Sequence, residues 1–288
     1  MTQSDPDLHS QQELTRLRAE LSRTRAELAR VQNDFASFAY AVSHDLQEPL
    51  RMVSSYTQLL AKRYAQDLDQ SALDFIHYAV DGTTRMQTMI NDLLTFSRVN
   101  TKGQPFEPVD LQAVVRQVHS EQKKNMDAAN AVLEFDALPE VWADPGQLKQ
   151  LIAHLLDNAL KFRSQDPPKI RISATTSSVA DSQNDPGMHS PEEGGTATPL
   201  HQEQMHISVA DNGIGIDPKF HTSVFDTFRQ LHPRGAYPGS GMGLAICRQI
   251  VHRHGGTIWV ESEPGQGVTC HVLLPSRPPG LSSEATEP

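Results

Sequence analysis

The first hundred residues are governed by a hydrophobic repeat. From Leu14 the apolar positions fall at Leu17, Leu21, Leu28, Val31, Phe35, Phe38 and Val42, with Thr24 holding the register, in steps of three and four. A strict 3.5-residue period sustained over four heptads marks a coiled-coil seam, because a helix packed on its own domain shows a broader stripe. Arg16–Glu20 and Arg23–Glu27 flank the seam at helical i,i+4 spacing. The stripe continues through Leu46, Leu50 and Val53, which predicts one helix to residue 64 with a parallel dimeric coil at its start. Residues 65–70 form a polar turn. A second helical pattern then runs through Leu73, Ile76, Val80, Met86, Met89, Ile90, Leu93 and Leu94, ending near Ser97. Two long helices joined by a short turn make an antiparallel hairpin, and pairing two copies into a four-helix bundle would cover its apolar face.

After a Gly- and Pro-bearing linker at 100–109, the pattern changes to alternating short strands and amphipathic helices. Strands are predicted at Val132–Phe135, Val141–Trp142, Lys169–Ala174 and Ile207–Ala210, with Thr257–Glu261 and Val268–Leu274 as a closing hairpin. Helices are predicted at Asp110–Asp127, Gly146–Phe162 and Gly241–His254. The fold class is α plus α/β: a coil at 1–34, a helical hairpin at 35–99 and an α/β sandwich at 110–275. About residues 175–204 there is a Ser, Thr, Asp, Gly and Pro-rich stretch without an aromatic, expected to be a floppy insertion, and 276–288 is expected to be a disordered tail.

The formal charge of −10 over 288 residues argues against nucleic acid as a partner. Cys247 and Cys270 have no metal-ligand spacing and are expected to be reduced and structural. No apolar run approaches the roughly 20 residues needed to span a bilayer and no signal peptide is visible, so a cytoplasmic chain is expected.

Four segments carry chemistry. His44 lies two positions past Val42, roughly 200° around the helix, so its imidazole is expected on the wet face beside Asp45. Pro49 should bend that helix one turn later. Asp211-Asn212-Gly213-Ile214-Gly215 follows a strand, where a carboxylate can accept from an exocyclic amine while glycine lets a planar ligand approach the backbone. Gly239-Ser240-Gly241-Met242-Gly243-Leu244 opens a helix, the arrangement of a phosphate cradle. Asp157-Asn158-Ala159-Leu160-Lys161-Phe162 offers an amide oxygen for Mg²⁺ and a cation for phosphate. His252 and His254 are read as helix surface.

In this order the segments resemble the two-component sensor histidine kinases, with wording most similar to the output modules of phytochrome-type kinases. The matching pieces are Ser43–Leu50 as the histidine box, His154–Phe162 as the asparagine box and Asp211–Ile216 as the first glycine box. Val224-Phe225-Asp226-Thr227-Phe228 matches the phenylalanine box and Gly239–Leu244 the second glycine box. The resemblance implies a dimerisation and phosphoacceptor hairpin followed by a gyrase/Hsp90-type ATP-binding domain. It implies His44 as phosphoacceptor with Asp45 as its partner, Asn158 as the Mg²⁺ ligand, and Lys161 at the phosphates. Asp211 would bind the adenine amine over a floor shaped by Gly213 and Gly215. Gly239, Gly241 and Gly243 would close over the phosphates, and Phe162, Phe228 and Leu244 complete the nucleotide boxes. Residues 217–238 would form a lid, with Arg229 and Arg234 as γ-phosphate contacts. The implied partners are a second copy of the chain, a response-regulator receiver domain, and a separate sensor protein acting through the coil.

Two departures stand out: His154 where the family has Asn, and Glu48 where phosphatase-competent members carry Thr or Asn. A non-catalytic, dimeric, nucleotide-binding adaptor is the alternative reading.

Overall fold

A computed structural model describes residues 6–177, 203–231, 237 and 239–276. The heptad-bearing segment is one helix, α1 (Pro6–Tyr64), which runs on through Pro49. A turn leads to α2 (Gln70–Thr101), whose start is capped by Asp69 accepting from the Ala72 N–H at 2.8 Å. The face of α1 turned to α2 is mostly not the apolar seam. It includes Ala36, Ala39, Ser43, Gln47, Ser54, Thr57 and Ala61, all at least half-buried and mostly small, and from the stripe only Val42 and Leu50. Phe35, Phe38, Leu46 and Val53 of the seam stay exposed.

α2 ends one turn later than expected, at Thr101, because Val99 is buried in the core of the α/β domain. The expected linker also contains a strand, β1 (Glu107–Asp110), paired antiparallel with β3 (Glu140–Ala143). Between them lie α3 (Leu111–Ala129), N-capped by Asp110, and β2 (Val132–Phe135). Next come α4 (Pro145–Lys161), β4 (Lys169–Ser177), β5 (Gln204–Asp211), α5 (Gly243–Arg253), β6 (Thr257–Ser262) and β7 (Val268–Pro275). The main sheet has the order β2-β4-β5-β7-β6, parallel only between β2 and β4.

Helices α3, α4 and α5 cover one face of this sheet, and the strands alternate accordingly. Leu111, Leu148, Ile152, Leu156, Ile172, Ile207, Ile246 and Val272 point into the shared core and are fully buried. On the other face His206, Trp259 and His271 stack, with ring centroids 5.0–5.6 Å apart. Residues 175–177 and 204, expected within the insertion, are strand: Thr175, Thr176 and Ser177 pair with His206, Met205 and Gln204. The remainder of the insertion at 178–202 and the tail at 277–288 lie outside the described residues, as does Arg234.

Candidate nucleotide site

The C-terminal end of α4, the ends of β5 and β7, the glycine-bearing loop before α5 and one side of α2 enclose a cavity of about 300 Å³. Asn158, Lys161, Phe162, Asp211, Gly215, Gly239, Gly241, Gly243 and Leu244 line it, so residues from three separate segments converge there. Asp211 closes one end. Its Oδ1 accepts from the Gly213 N–H at 2.8 Å and the Val268 N–H at 3.2 Å, which leaves Oδ2 for a ligand among the described residues. Burial pushes the Asp211 carboxyl above the ordinary carboxylate range, against the pull of these two N–H groups. Gly213 itself is not on the wall but packs behind Asp211, where a Cβ would meet the Phe162 carbonyl oxygen at 2.5 Å. Gly215 has φ +71°, and a Cβ there would lie 2.0 Å from the Glu263 carbonyl oxygen, so only glycine fits.

The opposite end is cationic and rich in backbone N–H groups. Lys161 Nζ lies 4.6 Å from the centroid of the Phe162 ring, and Phe162 in turn packs on Tyr237 at 5.0 Å. Burial lowers the Lys161 pKa, while Asp157 counters that shift. The glycine loop is held in place by Gln230, whose amide donates to the Gly239 carbonyl at 2.8 Å. The Ser240 hydroxyl, buried, accepts from the Met242 N–H at 3.1 Å just before α5 begins. His154 also lines the cavity beneath the start of α5. Burial depresses its pKa, with Asp92 and Asp157 pulling it back up.

Phe228, expected in the nucleotide boxes, sits elsewhere, whereas Arg229, His44 and Asp45 lie where they were expected. Phe228 is not on the cavity wall: its side chain is 50% exposed and its backbone is left-handed, at φ 60°. Arg229 does line the cavity and lies over the Phe220 ring at 5.8 Å. His44 and Asp45 are on α1, away from the lining, both exposed, with His44 Nδ1 3.2 Å from Asp45 Oδ1. Gln47, three residues on from His44, donates to Asn91 of α2 at 3.1 Å, next in sequence to Asp92 of the cavity.

His254, read from the sequence as surface, is buried. Its Nδ1–H donates to the Ile250 carbonyl at 2.7 Å and its Nε2 accepts from the Asp144 N–H at 3.0 Å. His252 is exposed as expected. Sequence reasoning passed over Thr88 and Asp92 on the cavity wall, and did not place there Tyr237, within the expected lid, or Cys270, expected to be structural. Burial beside Asp211 pushes the Cys270 thiol up to about 12, so it is an inert part of the floor. Among the described residues no cluster of three metal-ligating side chains occurs, and no helix is long and apolar enough to cross a membrane.

Comparison with known proteins accounts for both halves. Residues 36–102 match the His Kinase A (phospho-acceptor) domain, and residues 143–278 match the histidine kinase-, DNA gyrase B- and HSP90-like ATPase family. The chain belongs to the two-component sensor histidine kinases. This output module is 41% identical over 242 residues to the phytochrome-like protein Cph1 of Synechocystis sp., covering 84% of this chain and 29% of that protein. Cyanobacterial phytochrome A of Nostoc sp. is 39% identical over 242 residues, with 84% and 28% covered. The module thus spans under a third of the length of these relatives. The crystal structure of full-length ShkA in complex with AMPPNP shares the fold, with a TM-score of 0.57 at 24% identity, over 84% of this chain and 46% of that one.

Proposed function

We propose that the chain is an ATP-dependent protein-histidine kinase that phosphorylates its own His44 and passes the phosphoryl group to an aspartate of a response-regulator receiver domain. The observation that carries this reading is the coexistence, in one chain, of an exposed His44–Asp45 pair and a cavity joining Asp211, Lys161 and the glycine loop. The cavity is bordered by α2 of the hairpin that bears the histidine, so donor and acceptor share one frame.

The chemistry follows from the groups. Asp211 Oδ2 accepts from the adenine amine, and the planar base lies over the floor around Gly215. The phosphates reach Lys161 and the N–H groups at the start of α5. Asn158 suits Mg²⁺, since a neutral amide oxygen on the cavity wall can take one position of an oxygen shell otherwise filled by phosphate and water. When bound, the ion supplies charge neutralisation at the β- and γ-phosphates. At His44, donation of the Nδ1–H to Asp45 leaves the Nε2 lone pair as the nucleophile. Nε2 forms a bond to the γ-phosphorus as the bond to the bridging oxygen of ADP breaks. Asp45 holds the proton at Nδ1 and stabilises the cation that forms on the ring. Positioning and electrostatics supply most of the acceleration in such transfers. Two copies of the chain would dimerise through the exposed seam of α1, with input from a separate sensor through the coil.

Incubation with γ-labelled ATP and Mg²⁺ tests the reading. Acid-labile, base-stable label is expected on the wild type and none on His44→Gln, with nucleotide affinity unchanged in the variant. Label surviving in His44→Gln would refute the acceptor assignment, and nucleotide binding without label in wild type would favour a non-catalytic adaptor.

A further inference from the structure

The phosphate end of the cavity already holds an anion of the protein's own. Asp92, on α2 of the hairpin, lines the cavity, and its Oδ2 accepts a hydrogen bond from the Ser240 hydroxyl in the middle of the glycine loop. The same hydroxyl takes the Met242 N–H at the start of α5. The carboxylate is therefore tethered to the loop and helix end where backbone N–H groups and the helix dipole favour negative charge. A carboxylate and a phosphate group both carry negative charge at neutral pH and compete for the same positive field. Asp92 favours protonation of His154 on the same wall, while burial of that imidazole, the larger effect, opposes it.

We propose that Asp92 is a built-in competitor for the phosphate cradle, which ATP must displace from Ser240 in order to bind. This rests on the nucleotide-site reading above and adds a regulatory residue to it. Displacement has a mechanical consequence. The Ser240–Asp92 bond joins the glycine loop to α2, so incoming phosphates would release the loop from the hairpin. The next residue, Asn91, accepts from Gln47, three residues after His44 on α1. Nucleotide arrival would thus release the loop from the residue adjacent to the one that Gln47 contacts. The competitor also raises the concentration of ATP at which the module fills.

The test is a set of binding isotherms on the full chain for ATP, ADP and adenosine, in EDTA and again with Mg²⁺, for wild type, Asp92→Asn, Asp92→Ser and Asp92→Glu. Two neutral replacements guard against a defect peculiar to one. Removing a like charge beside the phosphates should tighten ATP and ADP at least about threefold in both. Adenosine should be unchanged, Asp92→Glu should stay near wild type, and the gain should shrink with added salt. Equal ATP affinity in wild type and both neutral variants overturns the proposal while leaving the site intact. Weaker ATP binding in the neutral variants with Mg²⁺ also overturns it, since Asp92 would then assist binding. Failure of wild type and variants alike to bind ATP or adenosine would remove the nucleotide-site reading and the gate together.

Discussion

At the scale of single residues, the site is built from groups that cost stability in order to be available. Asp211 is the clearest case. Burial penalises its charge, and a carboxyl whose folded pKa is raised contributes less as the pH climbs through that value. Asparagine keeps an oxygen for the Gly213 and Val268 N–H groups and drops the charge. Asp211→Asn should therefore melt at the same temperature as wild type or higher at pH 7.5. Its autophosphorylation should nonetheless fall at least about a hundredfold, because the adenine anchor is gone. A thermal melt paired with a labelling assay checks both halves, and a lower melting temperature would show that the charge is structural. The motif residues were legible because each needs a particular atom at a particular spacing: a carboxylate at a strand end, glycines where a Cβ cannot fit, a lysine at a helix end. Asp92 and Tyr237 were not, since nothing around them in sequence distinguishes them from solvated surface. Their role comes from contacts 148 residues apart in the case of Asp92 and Ser240.

At the scale of elements, the sequence predicted the helices and strands from their periods and missed what joins them. β1 holds a proline and a single buried residue, Val109, so it lacks the alternation that marks a strand, and its pairing with β3 is what makes it one. The junction it belongs to is polar. Arg253 at the end of α5 donates to Asp144 Oδ2 at 3.1 Å, Gln147 Oε1 at 2.9 Å and the Gln104 carbonyl at 2.8 Å, and covers the Phe106 ring. Gln147 in turn donates to the Val99 carbonyl at 2.7 Å, tying α4 to the last turns of α2. Asp144 is 3% exposed, and without Arg253 it keeps only N–H partners from Gln104, Gly146 and Gln147. Arg253→Ala should cost about 2–3 kcal/mol in urea unfolding, below the full cost of orphaning a buried charge because those three donors remain. Lysine should recover only part, as one ammonium cannot reach all three acceptors. His254 completes the junction as a neutral imidazole, and burial sets its pKa below the unfolded value of about 6.5. The unfolded chain binds more protons as pH falls, so this contribution is present above about pH 6.5 and lost below it. His154 and His206 shift the same way for the same reason. The melting temperature should drop from pH 7.5 to 5.5, with a shallower slope in His254→Gln, and a flat wild-type profile would contradict the neutral assignment.

At the scale of the whole molecule, the hairpin in one chain leaves its strongest sequence signal unused. Apart from Val42 and Leu50, the buried and half-buried residues of α1 beside α2 are small or polar, whereas Leu17, Leu21, Leu28, Val31, Phe35, Phe38, Leu46 and Val53 are about half exposed. A 3.5-residue period on an uncovered face is what a second α1 would satisfy, and each such side chain covered contributes about 1 kcal/mol. The exposed part of the seam lies on the same helix as His44, so in the proposed dimer the copies would meet on the element that carries the histidine. A charge inserted at Leu46 would lie in that seam two residues from His44, on a face that makes no use of α2 packing. Leu46→Glu should accordingly shift the chain from dimer to monomer by light scattering at micromolar concentration. Helix content and adenosine affinity should stay at wild-type levels, since the α/β core and the cavity wall draw nothing from that position. Phe38→Glu, two turns earlier on the same seam, should do the same. Dimers persisting in both variants would mean that the copies meet on another surface and that the apolar repeat serves some other helix.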